Sequence, residues 1–296
     1  MNRRIHLLIV THTLDQGGLE EIVRLYAHLL DKKKFFVTIA YMVGGRISQE
    51  LQRDENIRMV WIETKSRPAR LLQLVRLARR LHIDILHNHL SWYGLLAGFF
   101  AGARRVETIH NTYTWLTGTK RLAFGFLSLL AHRLIAVSHV VKDFTHQYFP
   151  FIPETKLIVI HNGIDLDRLS LPTNADVLRM KLGFSTDDFL VTFAGRLEEQ
   201  KGLAYLLEAA YRLQRRYANI KLVIVGEGSL EVQLRERAQT LGLPHVFFLG
   251  SKRCCGSACG VQRVRVALAL RGAPFDASPG IGSRCSLCCF AGWRRS

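Results

Sequence analysis

A chain of 296 residues with 48% hydrophobic and 22% charged side chains holds enough apolar mass for two α/β domains of ordinary size, each with its own core, which excludes a disordered chain. Lys and Arg outnumber Asp and Glu by 41 to 24, and a net charge of +17 points to phosphate-rich partners: nucleotides, nucleic acid or an anionic membrane. After position 250 there are 8 basic residues and 1 acidic one, so the tail inflates that excess.

The opening MNRRIHLLIV sets basic residues before an apolar run, as a signal peptide does, but the run at 5–10 is too short for the apolar part and no small-residue cleavage site follows. It is predicted to be a first strand. No apolar stretch reaches the roughly 18 residues that suggest a membrane span. A soluble chain in the cytoplasm is therefore expected.

Strand-like runs at 5–10, 37–43, 59–62, 83–86, 106–109, 134–137 and 158–160 alternate with amphipathic segments such as Leu71, Leu74, Val75, Leu77, Ala78 and Leu81. Alternation of this kind predicts a parallel, doubly wound sheet over residues 1–167. Gly17 and Gly18 follow the first run and precede a helix carrying Ile22, Val23, Tyr26, Leu29 and Leu30. Two glycines there either form a common turn or let backbone N–H groups approach an anion at the helix start. The loop does not match G-x-G-x-x-G, and the second strand ends without an acidic residue for a ribose, which counts against a dinucleotide dehydrogenase.

His87, Asn88 and His89 end one strand, and His110 and Asn111 follow another, where the ligand edge of a parallel sheet lies. A histidine in such a place is either a satisfied structural residue or a ligand contact. His87 and His89 also have a metal-like spacing, but no third ligand is evident, and no metal is expected. The stretches at 92–100 and 115–133 are apolar and aromatic with Arg104, Arg105, Lys120 and Arg121 nearby; they are either core helix or, in part, a surface resting on membrane headgroups.

Residues 165–188 form a boundary, and 168–252 then repeat the pattern: strand at 189–194, helix at 203–217, strand at 220–225, helix at 230–241 and strand at 246–249. Leu203, Leu206, Leu207, Ala210, Leu213 and Tyr217 make the stripe predicted to face the sheet. Between the first strand and helix stand Arg196 and Lys201. Two cations beside a helix start make a phosphate site, or else they are solvated surface charges. Asn162-Gly163 forms a turn at the end of the first domain, and Gly226 and Gly228 open a loop before a helix.

Taken in order, these motifs resemble the retaining family-four glycosyltransferases over roughly residues 1–252. G-R-x-x-x-x-K-G before an L-L-x-A-A helix resembles their donor-binding segment, G-G-x-E their first loop, T-I-H at 108–110 their T-x-H, IAVSHVVKDF their strand-serine-helix unit, N-G-x-D their exit from the first domain and V-G-E-G-S their V-G-x-G loop. The resemblance implies a GT-B fold of two Rossmann-like doubly wound domains facing a cleft, the second incomplete here. It implies that a nucleotide-diphosphate sugar is the donor and a saccharide or lipid-linked molecule the acceptor, in cell-surface polysaccharide synthesis. It also implies that Arg196 and Lys201 hold the diphosphate without a metal or other cofactor, with Gly17, Gly18, Asn162, Gly226 and Gly228 on the donor side. His110 is implied to face the transferred sugar, with His89 and Asn111 as further acceptor or sugar contacts. Peripheral contact with the cytoplasmic face of a membrane is consistent with such acceptors, and no nucleic-acid partner is expected.

After Gly250 the composition changes. All 6 cysteines lie there, no Glu occurs, and Cys, Arg, Gly, Ala and Ser supply 31 of the last 46 residues. Cys255, Cys259, Cys285 and Cys288 could form a zinc module, though without a strand-turn framework around them. The favoured expectation for 253–296 is translation out of the ancestral frame, which removes the E-G segment and the carboxylates that the resemblance implies for holding sugar and ribose hydroxyls. A noncatalytic remnant that keeps phosphate or membrane affinity is the alternative.

Overall fold

The computed structural model describes residues 3–250 apart from 16, 65, 115, 166–179, 181 and 186, and at 200 the backbone alone. Two compact units divide the chain, Met1–Ile164 and Asp165–Ser296. The composition-shifted tail at 253–296, with its zinc and frame alternatives, lies outside the described residues.

The first unit alternates β1 (Ile5–Leu14), α1 (Gly18–Leu29), β2 (Phe35–Gly44), α2 (Arg46–Leu51), β3 (Ile57–Trp61), α3 (Arg67–Arg80), β4 (Ile85–His89), α4 (Gly94–Phe100), β5 (Arg104–Ile109), α5 (Gly118–Leu129), β6 (Arg133–Ala136), α6 (His139–Tyr148) and β7 (Leu157–Val159). The strands form one sheet in the order β3-β2-β1-β4-β5-β6-β7, and every pairing is parallel. Alternation along β1 explains why helices cover both faces. Leu7 and Ile9 pack with Val23 and Ala27 of α1 and with Ile47 and Leu51 of α2, whereas Leu8 and Val10 pack with Leu74, Val75 and Ala78 of α3. A strand buried on both faces must read as a continuous apolar run, and β1 does.

β1 is longer than its apolar run. It continues through Thr11, His12 and Thr13 to Leu14, paired with β2 as far as Gly44, because β-branched threonines suit a strand even where hydropathy falls. Ser138 begins α6 as a cap, its Oγ accepting the Val141 N–H at 3.2 Å, which gives the strand-serine-helix unit its physical meaning.

The second unit contains β8 (Phe189–Ala194), a 3-10 turn at Glu199–Lys201, α7 (Leu203–Gln214), β9 (Ile220–Val225), α8 (Glu231–Thr240) and β10 (Val246–Phe248). Its parallel sheet has the order β10-β9-β8, and among the described residues β8 pairs with β9 alone. Leu203, Leu207 and Ala210 of α7 pack with Leu222 and Ile224 of β9 and with Leu234 and Ala238 of α8. The predicted stripe is too long by one turn. α7 stops at Gln214, and Leu213 and Tyr217 are 40% and 55% exposed.

The loops after β8 and β9 are joined backbone to backbone. The Gly195 N–H donates to the Val225 carbonyl at 2.9 Å, Leu197 N–H to the Glu227 carbonyl at 3.0 Å and Leu230 N–H to the Leu197 carbonyl at 3.0 Å, while the Leu197 side chain is fully buried. Gly226 sits at φ +135°, and a Cβ there would overlap the carbonyl oxygen of Gly195; a Cβ at Gly228 would overlap the Leu197 backbone. Gly226→Ala should therefore destabilise the second unit by about 2 kcal/mol or more, from overlap together with backbone strain. Hydrogen exchange at the β8 amides checks this; protection equal to wild type would refute the close approach.

Candidate functional site

In the first unit the strand order reverses between β1 and β4, and the sequence-predicted residues gather at the carboxyl ends of these strands and of β5. His89 is the last residue of β4, and His110 is the first residue beyond β5. Nδ1 of His89 lies 2.9 Å from Nε2 of His110. The His87 and His89 ring centroids are 4.2 Å apart, Tyr26 of α1 packs on both rings at 5.2 and 5.8 Å, and His87 Nε2 is 2.8 Å from the Thr108 hydroxyl. His87, His89 and Thr108 share one face of the sheet because β4 and β5 alternate in register, His89 opposite Thr108.

The backbone around His110 is also held. Its N–H donates to the Tyr113 hydroxyl at 3.3 Å, and the Asn111 side-chain Oδ1 accepts the Tyr113 N–H at 2.7 Å in an Asx turn. That turn places Tyr113 at φ +47°, in the left-handed region. Asn111 thus holds the turn beside His110. His89, expected to meet sugar, is instead completely buried, and its polar contact is with His110.

Gly17 and Gly18 begin α1 at the end of β1, as expected. Glu20 and Glu21 stand in the first turn, and the Glu20 carboxylate accepts the Thr13 hydroxyl and lies against Gly17, so an anion arriving here would meet that carboxylate. Asn162 is exposed beyond β7, at the far end of the sheet from β1.

In the second unit Arg196 is exposed on the loop after β8, and Lys201 ends the 3-10 turn immediately before α7. Gly202, left-handed at φ 65°, caps that helix, whose first turn carries no acidic side chain. Two cations, with Glu198 and Glu199 between them, therefore share one loop with this helix start. Gly226 and Gly228 belong to the seam that supports it.

On the opposite face of β4 and β5 lie Asn88, named in the sequence only as part of the strand-end cluster, and Glu107, which sequence reasoning passed over. Asn88 donates through Nδ2 to the Glu107 carboxylate and to the Ser91 carbonyl at 2.9 Å, beside a cavity of about 30 Å³ lined in part by Trp92, Leu95, Phe124 and Ser128. Period-two alternation in VETI marks Glu107 as facing away from its apolar neighbours, but a strand covered on both faces has no solvent side. Tyr26 was legible only as part of the α1 stripe. Among the described residues no three His, Cys, Asp or Glu side chains are grouped to hold a metal ion, and no helix is long and apolar enough to cross a membrane.

A seven-stranded doubly wound sheet, a second parallel sheet and ligand-edge loops of this kind define a chain of the GT-B fold class. The fold is shared with Anabaena HepE, solved in complex with UDP-glucose, at a TM-score of 0.71 and 19% identity over 84% of this chain and 69% of that one. WaaG, a glycosyltransferase involved in lipopolysaccharide biosynthesis, gives a TM-score of 0.66 at 14% identity over 83% of this chain and 70% of that one. The model of Glycosyltransferase Family 4 matches residues 16–168 and that of Glycosyl transferases group 1 matches 174–253; the chain belongs to Glycosyltransferase Family 4. It is 28% identical over 244 residues to the UDP-Gal:alpha-D-GlcNAc-diphosphoundecaprenol alpha-1,3-galactosyltransferase of Escherichia coli, covering 76% of this chain and 62% of that protein. It is 30% identical over 187 residues to the phosphatidyl-myo-inositol mannosyltransferase of Mycobacterium tuberculosis, covering 62% of this chain and 47% of that one. The chain thus spans between about half and three fifths of the length of these relatives.

Burial sets the charge states of β4 and β5. It lowers His87 from 6.5 to about 3, the proximity of His110 adding to the effect, and lowers His89 well below its ordinary value; both rings are neutral at pH 7. It raises Glu107 from 4.5 to about 8 despite the Asn88 hydrogen bond, so that carboxyl is mostly protonated at pH 7. Between pH 6.5 and 3 the unfolded chain binds the His87 proton and the folded chain does not, so stability is full above 6.5 and falls toward pH 3. Between 4.5 and 8 the folded chain keeps the Glu107 proton that the unfolded chain loses, so that contribution is full below 4.5 and is lost as pH rises through 8. Glu107→Gln should remove the alkaline loss: similar denaturant midpoints at pH 5, and at pH 9 a variant more stable by on the order of several kcal/mol. Parallel pH profiles for the two proteins would contradict a buried neutral Glu107.

Proposed function

We propose that this chain derives from a retaining glycosyltransferase that moves a sugar from a nucleotide diphosphate to a saccharide or lipid-linked acceptor in cell-surface polysaccharide synthesis. The observation that carries the proposal is the Gly195–Gly202 loop, where exposed Arg196 and half-buried Lys201 stand before a helix whose first turn carries no acidic side chain. As the glycosidic bond breaks, negative charge grows on the departing diphosphate. Fixed cations and helix N–H groups stabilise it more than they stabilise the ground state, which is the condition for catalysis. The residues thus assign to Arg196 and Lys201 the charge that a metal supplies elsewhere, and His110 is assigned to the transferred sugar. The HepE complex with UDP-glucose and the diphosphoundecaprenol and phosphatidyl-inositol substrates named for the relatives support this donor and acceptor chemistry.

Contact with the cytoplasmic face of a membrane is part of the same proposal. Leu122 and Phe126 of α5 are 55% and 60% exposed, Phe126 stacks on Phe151 at 5.2 Å, and the Arg121 guanidinium lies 5.2 Å from the Tyr148 ring centroid. Apolar rings among cations suit the headgroup zone. A second reading, a noncatalytic remnant that keeps phosphate or membrane binding, is favoured by the composition of 253–296, where no Glu is present to hold sugar hydroxyls.

Titration of UDP should show Arg196→Ala weakening binding by about tenfold or more, the effect of losing one charge-assisted contact; equal affinities would remove the loop from the donor site. His110→Ala, in a chain with the reading frame restored after residue 253, should lower turnover while leaving UDP affinity nearly unchanged. A parallel loss of UDP affinity would contradict its sugar-side role. Residues 1–296 as they stand should transfer little sugar beside the frame-restored chain, and comparable turnover in both would dismiss the remnant.

A further inference from the structure

We infer that His89 is a positioning residue that fixes the tautomer of His110, donating its Nδ1–H to Nε2 of His110 and so leaving the single ring proton of a neutral His110 on Nδ1. This rests on the proposal that His110 meets the transferred sugar.

Two ring nitrogens 2.9 Å apart share one proton, and the question is which ring supplies it. His89 is completely buried, packed between His87 at 4.2 Å and Tyr26 at 5.8 Å, with His110 at 5.1 Å. Desolvation and its two histidine neighbours keep it neutral, so it carries one proton, on Nδ1 or on Nε2. Its Nε2 is buried and has no hydrogen-bond partner among the described residues. A proton there would be a buried N–H without an acceptor, the rarer and costlier kind of unsatisfied group, and would oblige His110 to donate. A bare lone pair at Nε2 is the cheaper arrangement, with the proton on Nδ1 facing His110.

His110 then accepts at Nε2, and its own proton is confined to Nδ1. An unanchored neutral imidazole interchanges its two tautomers, and only one of them offers a donor at a given position. With the tautomer fixed, any substrate oxygen that meets Nδ1 must accept from it, as a hydroxyl oxygen of a sugar can. The ring is held by His89 and the backbone by the Tyr113 hydroxyl, so donor and position are both set before substrate arrives.

The test is nitrogen NMR of the full chain labelled at histidine, the His110 signals identified by their loss in His110→Gln. Nδ1 protonated and Nε2 bare is the expected pattern; a proton on Nε2 of His110 overturns the inference. His89→Asn, whose amide N–H can take the place of Nδ1–H, should keep that pattern, whereas His89→Phe, which preserves a buried ring without the donor, should show both tautomers. An unchanged pattern in His89→Phe likewise overturns it. In the frame-restored chain, His89→Phe should lower kcat by about tenfold, the worth of one hydrogen bond, with little change in donor KM and with recovery in His89→Asn. If the NMR pattern holds while turnover is insensitive to His89→Phe, the tautomer assignment stands and the sugar-side role of His110 falls.

Discussion

Parallel pairing is the constraint on which both units depend. Because every strand in a sheet runs the same way, each chain segment must cross back outside the sheet, and all strand ends meet their loops along one edge. The side chains that end β4 and follow β5 are brought together by that edge and by a register that sets His89 against Thr108. No direct sequence neighbour is involved: twenty-one positions separate the two histidines whose ring nitrogens touch. The loop carrying Arg196 and Lys201 and the loop carrying Gly226 and Gly228 adjoin for the same reason.

The two faces of the β4–β5 pair carry opposite kinds of chemistry. On one, the His87 and His89 rings pack against Tyr26; on the other, Asn88 and Glu107 share a hydrogen bond above an apolar cavity. Burial neutralises both sets, the bases by keeping protons off and the acid by keeping one on. A polar pair of strands can therefore cross the interior of the unit with little net charge at neutral pH. Their spacing alternates strictly, so each set stays on its own side.

Much of the layout was legible because strands covered on both faces tend to be written as apolar runs, and each of the ten described strands overlaps a run predicted as a strand, although β4 and β5 also carry polar residues. Strand and helix ends were less legible. β1 continues through Thr11 and Thr13, where pairing matters more than hydropathy, and α7 stops before Tyr217 although the spacing continues. Arg196 and Lys201 stood out as candidates because cations flanking a helix start form a local pattern. The role of His89 could not, since it depends on the depth of one ring and on a contact across two strands. Glu107 was invisible for a related reason: a single carboxylate in VETI looks the same whether its face meets water or another helix.

The seam between the loops after β8 and β9 is made chiefly of carbonyl oxygens and N–H groups, with one side-chain bond from the Ser229 hydroxyl to the Glu198 carboxylate at 3.2 Å. Such a joint asks little of side-chain identity beyond the buried Leu197 and the absence of side chains at Gly226 and Gly228. Residues mounted on the loops can then be exchanged without refitting the support beneath them. That separates the wording of the ligand edge from its grammar, a division suited to a fold whose solved members retain the same layout at 12–20% identity.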